Sequence, residues 1–190
     1  ADLSQVGDTL TPVLNMLNTR YFIIPLQQGK TIPMFNPHAL GNAWFVNEVQ
    51  YVNNANEEIE ALHQVNPAHV AVVDKKFQNE VKASVGADSL STIVLTSYEP
   101  NALKYEVNSP KGGTVVFAEI YYPGWRSFID GEEVLHGRAD YILRAINVPA
   151  GEHTIEMWFD PQSIQVTESI AYAALALLLI GVMLLAWTQR

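Results

Sequence analysis

Residues 114–159 read TVVFAEIYYPGWRSFIDGEEVLHGRADYILRAINVPAGEHTIEMWF and hold the clearest strand pattern in the chain. Apolar and β-branched runs at 114–122, 125–129, 141–148 and 153–159 are separated by turn signals such as Pro-Gly and Pro-Ala-Gly. Short strands at this spacing are typical of a β-sandwich or a strongly bent sheet. Asp130-Gly131 lies between two of these runs and predicts a tight hairpin turn.

The strand pattern extends upstream, with further runs at 93–98 and 103–107. Six runs in succession predict an antiparallel, sandwich-like part over residues 91–163. Residues 1–90 are mixed instead. They contain a helical pattern at 8–19, in which Leu10, Val13, Leu14 and Leu17 share one face, and strand-like runs at 21–24, 44–46, 48–52 and 70–73. The run at 21–24 is apolar throughout and predicts a buried strand.

Turn and capping signals divide this first part of the chain. Two glycines and two prolines within 27–42 predict a loop, and 75–86 is polar enough for a loop or a helix. Asn54 followed by Glu57 resembles a capping box and predicts a short helix behind it. The predicted fold class is therefore α+β: a smaller mixed α/β part at 1–90, then the sandwich-like part, the two forming one compact domain.

The C-terminal segment is of a different kind. Residues 170–187 read IAYAALALLLIGVMLLAW, eighteen residues without a charge. As a helix this stretch is about 27 Å long, close to the thickness of a bilayer core. Tyr172 and Trp187 lie near its ends, where interfacial aromatic residues are expected. A buried core helix of this length usually has some polar positions, so the sequence predicts a transmembrane helix at 168–188.

The orientation of the predicted transmembrane helix is inferred from the few charged residues on either side of it. Arg190 is the one cation after the predicted span, and the nearest charges before it, from Glu152 to Glu168, are acidic. The positive-inside rule then places the C-terminus in the cytoplasm and residues 1–169 outside. The N-terminal twenty residues have no basic region followed by an apolar one, as an export signal would. Either the domain faces the cytoplasm as a tail-anchored protein, or upstream membrane helices have threaded it across, and we favour the second alternative.

Composition excludes several classes of function. Eleven Lys and Arg against twenty Asp and Glu give a net charge of −9, which argues against binding nucleic acid. The absence of cysteine excludes disulfides and thiolate metal sites. The five histidines show no metal-ligand spacing, and no phosphate-binding glycine motif or GxSxG motif occurs. We therefore expect no metal, no cofactor and no catalytic residue in this chain.

The densest group of aromatic and charged residues begins at 121–126, with the sequence YYPGWR. Aromatic rings stack on the apolar faces of sugars while charged groups bind the hydroxyls, so this region is a candidate glycan-contact surface. The alternative is that Trp125 fills the sandwich core, with Arg138 and Arg144 paired to Asp140 or Glu119. The candidate contact residues are Tyr121, Tyr122, Trp125, Arg126, Arg138, Asp140, Tyr141 and Arg144.

These residues also lie in segments with a family likeness. EIYYPGWRSFIDGEEV at 119–134 and RADYILRAINVPAGEHTIEMWFDP at 138–161, followed by the uncharged helix, resemble the C-terminal end of YfhO-like bacterial membrane proteins. The likeness continues upstream in LNMLNTRYFI, NPHALGNAWFV and NPAHVAVVD, and so covers nearly the whole chain.

The resemblance implies a place in a larger protein. YfhO-like proteins resemble multi-spanning glycosyltransferases of the GT-C type, which use polyprenyl-phosphate-linked sugars at the outer face of the bacterial cytoplasmic membrane. Their catalytic carboxylate lies in an early outer loop that has no counterpart in these residues. The chain would then be a non-catalytic extracytoplasmic C-terminal domain with the last membrane helix, acting in cell-envelope polysaccharide or lipid-linked sugar transfer.

Two other functions remain open at the level of the sequence. One is a single-span, membrane-anchored carbohydrate-binding or adhesion module, with a glycan as its partner. The other is a sorted surface protein with a removable hydrophobic tail, which is disfavoured because 160–163 reads DPQS and contains no LPxTG-like signal.

Overall fold

The computed structural model describes residues 11–26, 29–83 and 88–188, and these form an α+β fold. The helices are α1 (Thr11–Met16), α2 (Ala55–Leu62) and α3 (Gln162–Thr188), with a 3-10 turn at Lys75–Phe77. The strands are β1 (Tyr21–Pro25), β2 (Thr31–Phe35), β3 (Ala43–Val46), β4 (Glu48–Val52), β5 (Val70–Asp74), β6 (Thr92–Glu99), β7 (Ala102–Ser109), β8 (Gly113–Ile120), β9 (Trp125–Ile129), β10 (Glu132–Val134), β11 (Gly137–Ala139), β12 (Leu143–Val148) and β13 (Gly151–Phe159).

Two antiparallel sheets form the predicted sandwich. One has the strand order β10-β9-β13-β7-β6 and the other has the order β11-β12-β8-β3. Burial alternates along β7, so that every second side chain faces the opposite sheet. The core between the sheets consists of Leu103, Tyr105, Val107, Val115, Phe117, Ile129, Ile146, Val148, Ile155 and Met157.

A second core lies on the other face of the four-stranded sheet. There Val116 and Ala145 pack against the parallel pair β4–β5 and against helix α2. Strand β3, from the first part of the chain, pairs with β8 from the second part. The mixed part and the sandwich-like part therefore share both a sheet and a core.

Several local predictions are confirmed. Asn54 caps α2, and its side-chain Oδ1 accepts hydrogen bonds from the backbone N–H groups of Asn56 and Glu57. Asp130 and Gly131 join β9 to β10 with φ angles of 51° and 84°, the left-handed geometry of a tight hairpin turn.

Other local predictions were wrong or incomplete. The predicted loop at 27–42 contains β2, and the run at 21–24, predicted as a buried strand, alternates between exposed and half-buried residues. The short strands β10 and β11 had no clear sequence signal. Strand β12 begins at Leu143 because Asp140 and Tyr141 adopt left-handed conformations. Of the predicted helix at 8–19, residues 8–10 lie outside the described ranges, and α1 ends at Met16.

Helix α3 is long and apolar enough to cross a membrane. An 18-residue window within its segment Val166–Thr188 has a mean hydropathy of 2.5, and none of that window is buried against the domain. Near its start, the backbone N–H of Asp160 donates to the carbonyl of Gly124 at 2.8 Å. Gly124 has φ +103°, and a Cβ there would lie 2.8 Å from the Pro161 Cβ. The loop after β8 thus packs directly against the base of α3.

This contact defines one end of the sandwich, which we call the α3 end. It is formed where β8 ends at Ile120, β9 begins at Trp125 and β13 ends at Phe159.

Candidate functional site

The predicted contact residues separate into two groups. Tyr122, Trp125 and Arg126 line a groove at the α3 end. Arg138, Asp140 and Tyr141 lie beside helix α2 instead. The Tyr121 ring connects neighbouring elements, with its centroid 5.3 Å from that of Phe77 and 5.7 Å from that of His136.

The groove at the α3 end, called the α3 groove below, is a cavity of about 710 Å³. Its walls are the loop after β8, the end of β13 and the first turn of α3. The ring centroids of Trp125 and Phe159 are 5.5 Å apart, and those of Tyr122 and Phe159 are 6.2 Å apart. The lining residues are Tyr122, Pro123, Gly124, Trp125, Arg126, Glu133, Phe159, Asp160, Pro161, Ser163 and Ile164.

One cation and two carboxylates line this groove. Arg126 donates from Nε and Nη2 to the two oxygens of Glu133, at 2.8 and 2.6 Å. Its Nη1 lies 3.9 Å from the Asp160 carboxylate. The hydrogen bonds to Arg126 lower the pKa of Glu133, so that carboxyl stays ionised. With two carboxylates against one guanidinium, the groove has a net negative charge.

Arg144 lies beneath the groove, within the sandwich. It is 1% exposed, and its guanidinium carbon is 4.2 Å from the centre of the Trp125 ring. Its Nη2 donates to Glu119 at 3.3 Å, the pairing offered as an alternative from sequence. Burial raises the pKa of Glu119, and Arg144 opposes that rise. The half-buried Trp125 thus lies between the groove and an ion pair in which Arg144 is buried and Glu119 is half-buried.

The second group of predicted residues holds α2 against the sandwich. Glu58, fully buried, accepts from Nη2 of Arg138 at 2.5 Å and from the backbone N–H of Tyr141 at 2.9 Å. Asp140, also fully buried, accepts from the N–H of Val72 at 2.8 Å. Arg138 thus pairs with Glu58, not with Asp140. Burial raises the pKa of Asp140 to about 7.

Two of the candidate glycan-contact residues are buried. Asp140 is 0% exposed and Arg144 is 1% exposed, so neither presents polar atoms on the surface. The alternative of internal packing therefore fits both residues better than direct contact with a glycan. Tyr122, Trp125 and Arg126 are the candidates that the α3 groove brings together.

Sequence reasoning missed three important members of the groove. Phe159 lies beside Trp125 because these residues are partners in the β13–β9 register. Glu133 meets Arg126 across the hairpin at Asp130-Gly131, in a diagonal arrangement that the predicted turn already implied. Asp160 had no such signal, because its position depends on how β13 leads into α3.

A separate ion pair fixes the β9–β10 turn. The Asp130 carboxylate lies 2.6 Å from Nδ1 of His153, and its other oxygen accepts from the Thr154 N–H at 2.8 Å. The hydrogen bond with Asp130 raises the pKa of His153, and the hydrogen bond with His153 lowers the pKa of Asp130.

This pair predicts a pH-dependent stability. In the folded protein the pKa of His153 is raised above 6.5. Its ion pair therefore stabilises the fold fully below pH 6.5, and this stabilisation is lost as the pH rises through the raised pKa. The ionised Asp130 stabilises the fold fully above pH 3.8, and this stabilisation is lost as the pH falls through its lowered pKa. Melting temperatures from pH 5 to 9 should fall less steeply in His153→Gln than in wild type or in His63→Gln. If melting temperature changes with pH equally in all three proteins, the Asp130–His153 ion pair does not contribute to the pH dependence of stability.

Within the described ranges, no three His, Cys, Asp or Glu side chains lie close enough to hold a metal ion. Comparison with protein-family models, curated proteins and solved structures gave no match.

Proposed function

We propose that this chain is a non-catalytic, membrane-anchored domain that binds an uncharged saccharide at the membrane surface. The observation that supports this most directly is the α3 groove, which places three aromatic rings and two carboxylates at the base of an apolar, membrane-length helix. The bound group would be a glycan or the sugar of a polyprenyl-linked donor.

The chemistry of the groove suits a sugar. The rings of Tyr122, Trp125 and Phe159 offer apolar faces for the C–H face of a pyranose. Glu133 and Asp160 have carboxylate lone pairs that accept hydrogen bonds from hydroxyl groups. The excess negative charge repels carboxylate groups on a saccharide in the groove, so a neutral saccharide is favoured over an acidic one. The phosphate of a polyprenyl-linked donor would have to lie outside the groove, with only its sugar inside.

The position of the groove favours a membrane-bound ligand. Ser163 and Ile164 line the groove, and the candidate span begins at Val166. At the helical rise these residues are within about 5 Å of the start of the span. A sugar attached to a lipid in the same membrane is held at that height, whereas a soluble sugar is not.

The larger setting is a proposal that follows from the resemblance to YfhO-like proteins. In it, the domain lies on the extracytoplasmic side of the bacterial cytoplasmic membrane, with the C-terminus in the cytoplasm. It presents acceptor glycan or lipid-linked sugar to a glycosyltransferase-like membrane part that performs the transfer.

A binding experiment tests the groove. The 190-residue chain in nanodiscs is titrated with neutral oligosaccharides and with acidic ones of the same length. Tyr122 is 59% exposed, so Tyr122→Ala should leave the fold intact. We expect it to weaken binding about tenfold through loss of ring stacking. Tyr98→Ala, at an equally exposed tyrosine outside the groove, is the matched control.

The results distinguish clear alternatives. The proposal is supported if wild type prefers neutral sugars and their affinity falls about tenfold in Tyr122→Ala but is kept in Tyr98→Ala. Preference for acidic sugars, or equal affinities in both variants, argues against the groove as the binding site.

A second candidate function is a single-span binding or adhesion module. It requires only the one candidate span found in the described part of the chain. The gene upstream of Ala1 separates the two: several uncharged spans favour the accessory domain, and a signal peptide alone favours the single-span module.

A further inference from the structure

The hairpin β1–β2 is unusually apolar for an element that lies on the surface. Tyr21, Ile23 and Phe35 occupy one face and are 59%, 64% and 57% exposed. The rings of Tyr21 and Phe35 touch across the strands, with centroids 5.6 Å apart. The other face, with Phe22 and Ile24, is only half-buried.

The rest of the described chain gives this hairpin little support. β1 and β2 form a two-stranded sheet of their own, and neither packs extensively on another described element. A two-stranded hairpin is marginally stable in water, and a contiguous exposed apolar patch usually marks an interface. The hairpin therefore needs a partner surface that covers it.

Hydrogen bonds place the base of the hairpin at the α3 end. The Asn36 N–H donates to the Arg20 carbonyl at 2.8 Å, which closes the base. Next to it, Asn18 donates from Nδ2 to Asn42 Oδ1 at 3.2 Å. The carbonyl of Asn42 accepts from the N–H of Ala118 at 2.9 Å, two residues before β8 ends. The loop that follows β8 packs on the base of α3, as described above.

Other exposed apolar side chains lie at the same end. Ile120 and Tyr122 are 63% and 59% exposed. Trp158, near the C-terminal end of β13, is 51% exposed. Aromatic and apolar residues are enriched where proteins meet the interfacial region of a membrane. These exposed apolar side chains therefore lie at the same end of the sandwich as the start of the candidate membrane span.

The charge pattern of the hairpin also favours lipid. Residues 21–35 contain no acidic residue and one cation, Lys30, in a chain of net charge −9. Arg20 immediately precedes β1. Apolar side chains flanked by cations are typical of segments that lie in the interface of phospholipid membranes.

We propose that the β1–β2 hairpin is a second membrane contact, which inserts its apolar side chains into the lipid surface beside α3. With two points of attachment, the domain is held at a fixed tilt and the α3 groove at a fixed height. This inference does not rest on the ligand of the groove.

The absence of cysteine makes the test direct, because a single introduced cysteine takes one label. The full chain, with Ile23→Cys labelled by the fluorophore NBD, is reconstituted in phosphatidylcholine–phosphatidylglycerol vesicles that contain acyl-chain spin labels. Leu178→Cys, in the candidate span, is the reference for lipid contact. Leu90→Cys is the matched exposed control, 71% exposed and just ahead of β6 at the opposite end of the sandwich.

We expect the label at Ile23 to shift to the blue and to lose emission to a degree approaching that at Leu178, with little change at Leu90. If Ile23 behaves like Leu90, the proposal is wrong. Energy transfer between copies labelled at Ile23, without quenching by the lipid spin labels, would show that a second copy covers the hairpin, and would equally overturn it.

Discussion

Glu58→Ala is expected to lower the free energy of unfolding by about 3–5 kcal/mol, since it removes one partner of a buried ion pair. Glu58 is fully buried, and it holds both the Arg138 guanidinium and the N–H of Tyr141. Tyr141 has φ 72°, which costs energy for a residue other than glycine, and the Glu58 hydrogen bond helps to hold that turn. The substitution therefore loosens α2 from the sandwich.

The measurement is urea denaturation of the full chain in detergent, followed by tryptophan fluorescence. Glu60→Ala provides the matched control, because Glu60 is on the same helix and is exposed. Loss of stability in Glu58→Ala that is no larger than in Glu60→Ala would contradict the structural role assigned to this ion pair.

Arg144→Ala is expected to have the second largest effect and to lower the free energy of unfolding by about 3 kcal/mol. It leaves the Glu119 carboxylate without its cation and removes the group on which Trp125 stacks. Because Trp125 forms a wall of the α3 groove, saccharide binding should fall as well, even at temperatures where the domain remains folded.

Arg126→Ala is the informative comparison for this prediction. Arg126 also pairs with a glutamate, but that pair is open to solvent, where ion pairs contribute little to stability. We expect Arg126→Ala to leave the melting temperature nearly unchanged. Equal destabilisation by the two arginine substitutions would show that Arg144 does not support the sandwich from within.

Local signals in the sequence predicted the elements they belong to. Pro-Gly and Asp-Gly turns separate strands whose alternation is strong, and the Asp130-Gly131 hairpin forms where it was predicted. Strand β1 was predicted from the run at 21–24, but its partner β2 was missed because the prolines and glycines of 27–42 favoured a loop. Pro33 is tolerated there because the hairpin is a two-stranded sheet, in which each strand has a free edge.

The candidate site was predictable only in part. The YYPGW segment is recognisable by its composition, and it does form one wall of the α3 groove. The partner of Arg138 is Glu58, eighty residues away in sequence, and no local pattern joins the two. Burial of Asp140 likewise follows from the packing of β5 against β11, which only the three-dimensional arrangement shows.

Saturation-transfer NMR on the full chain in nanodiscs tests the central claim most directly. Aromatic protons of the protein are saturated, and transfer to a neutral oligosaccharide is recorded. The account predicts transfer that is strongest to the ring C–H protons of one sugar face and is lost in Tyr122→Ala. Absence of transfer, or transfer of the same strength in Tyr122→Ala, would contradict a saccharide-binding groove at the base of α3.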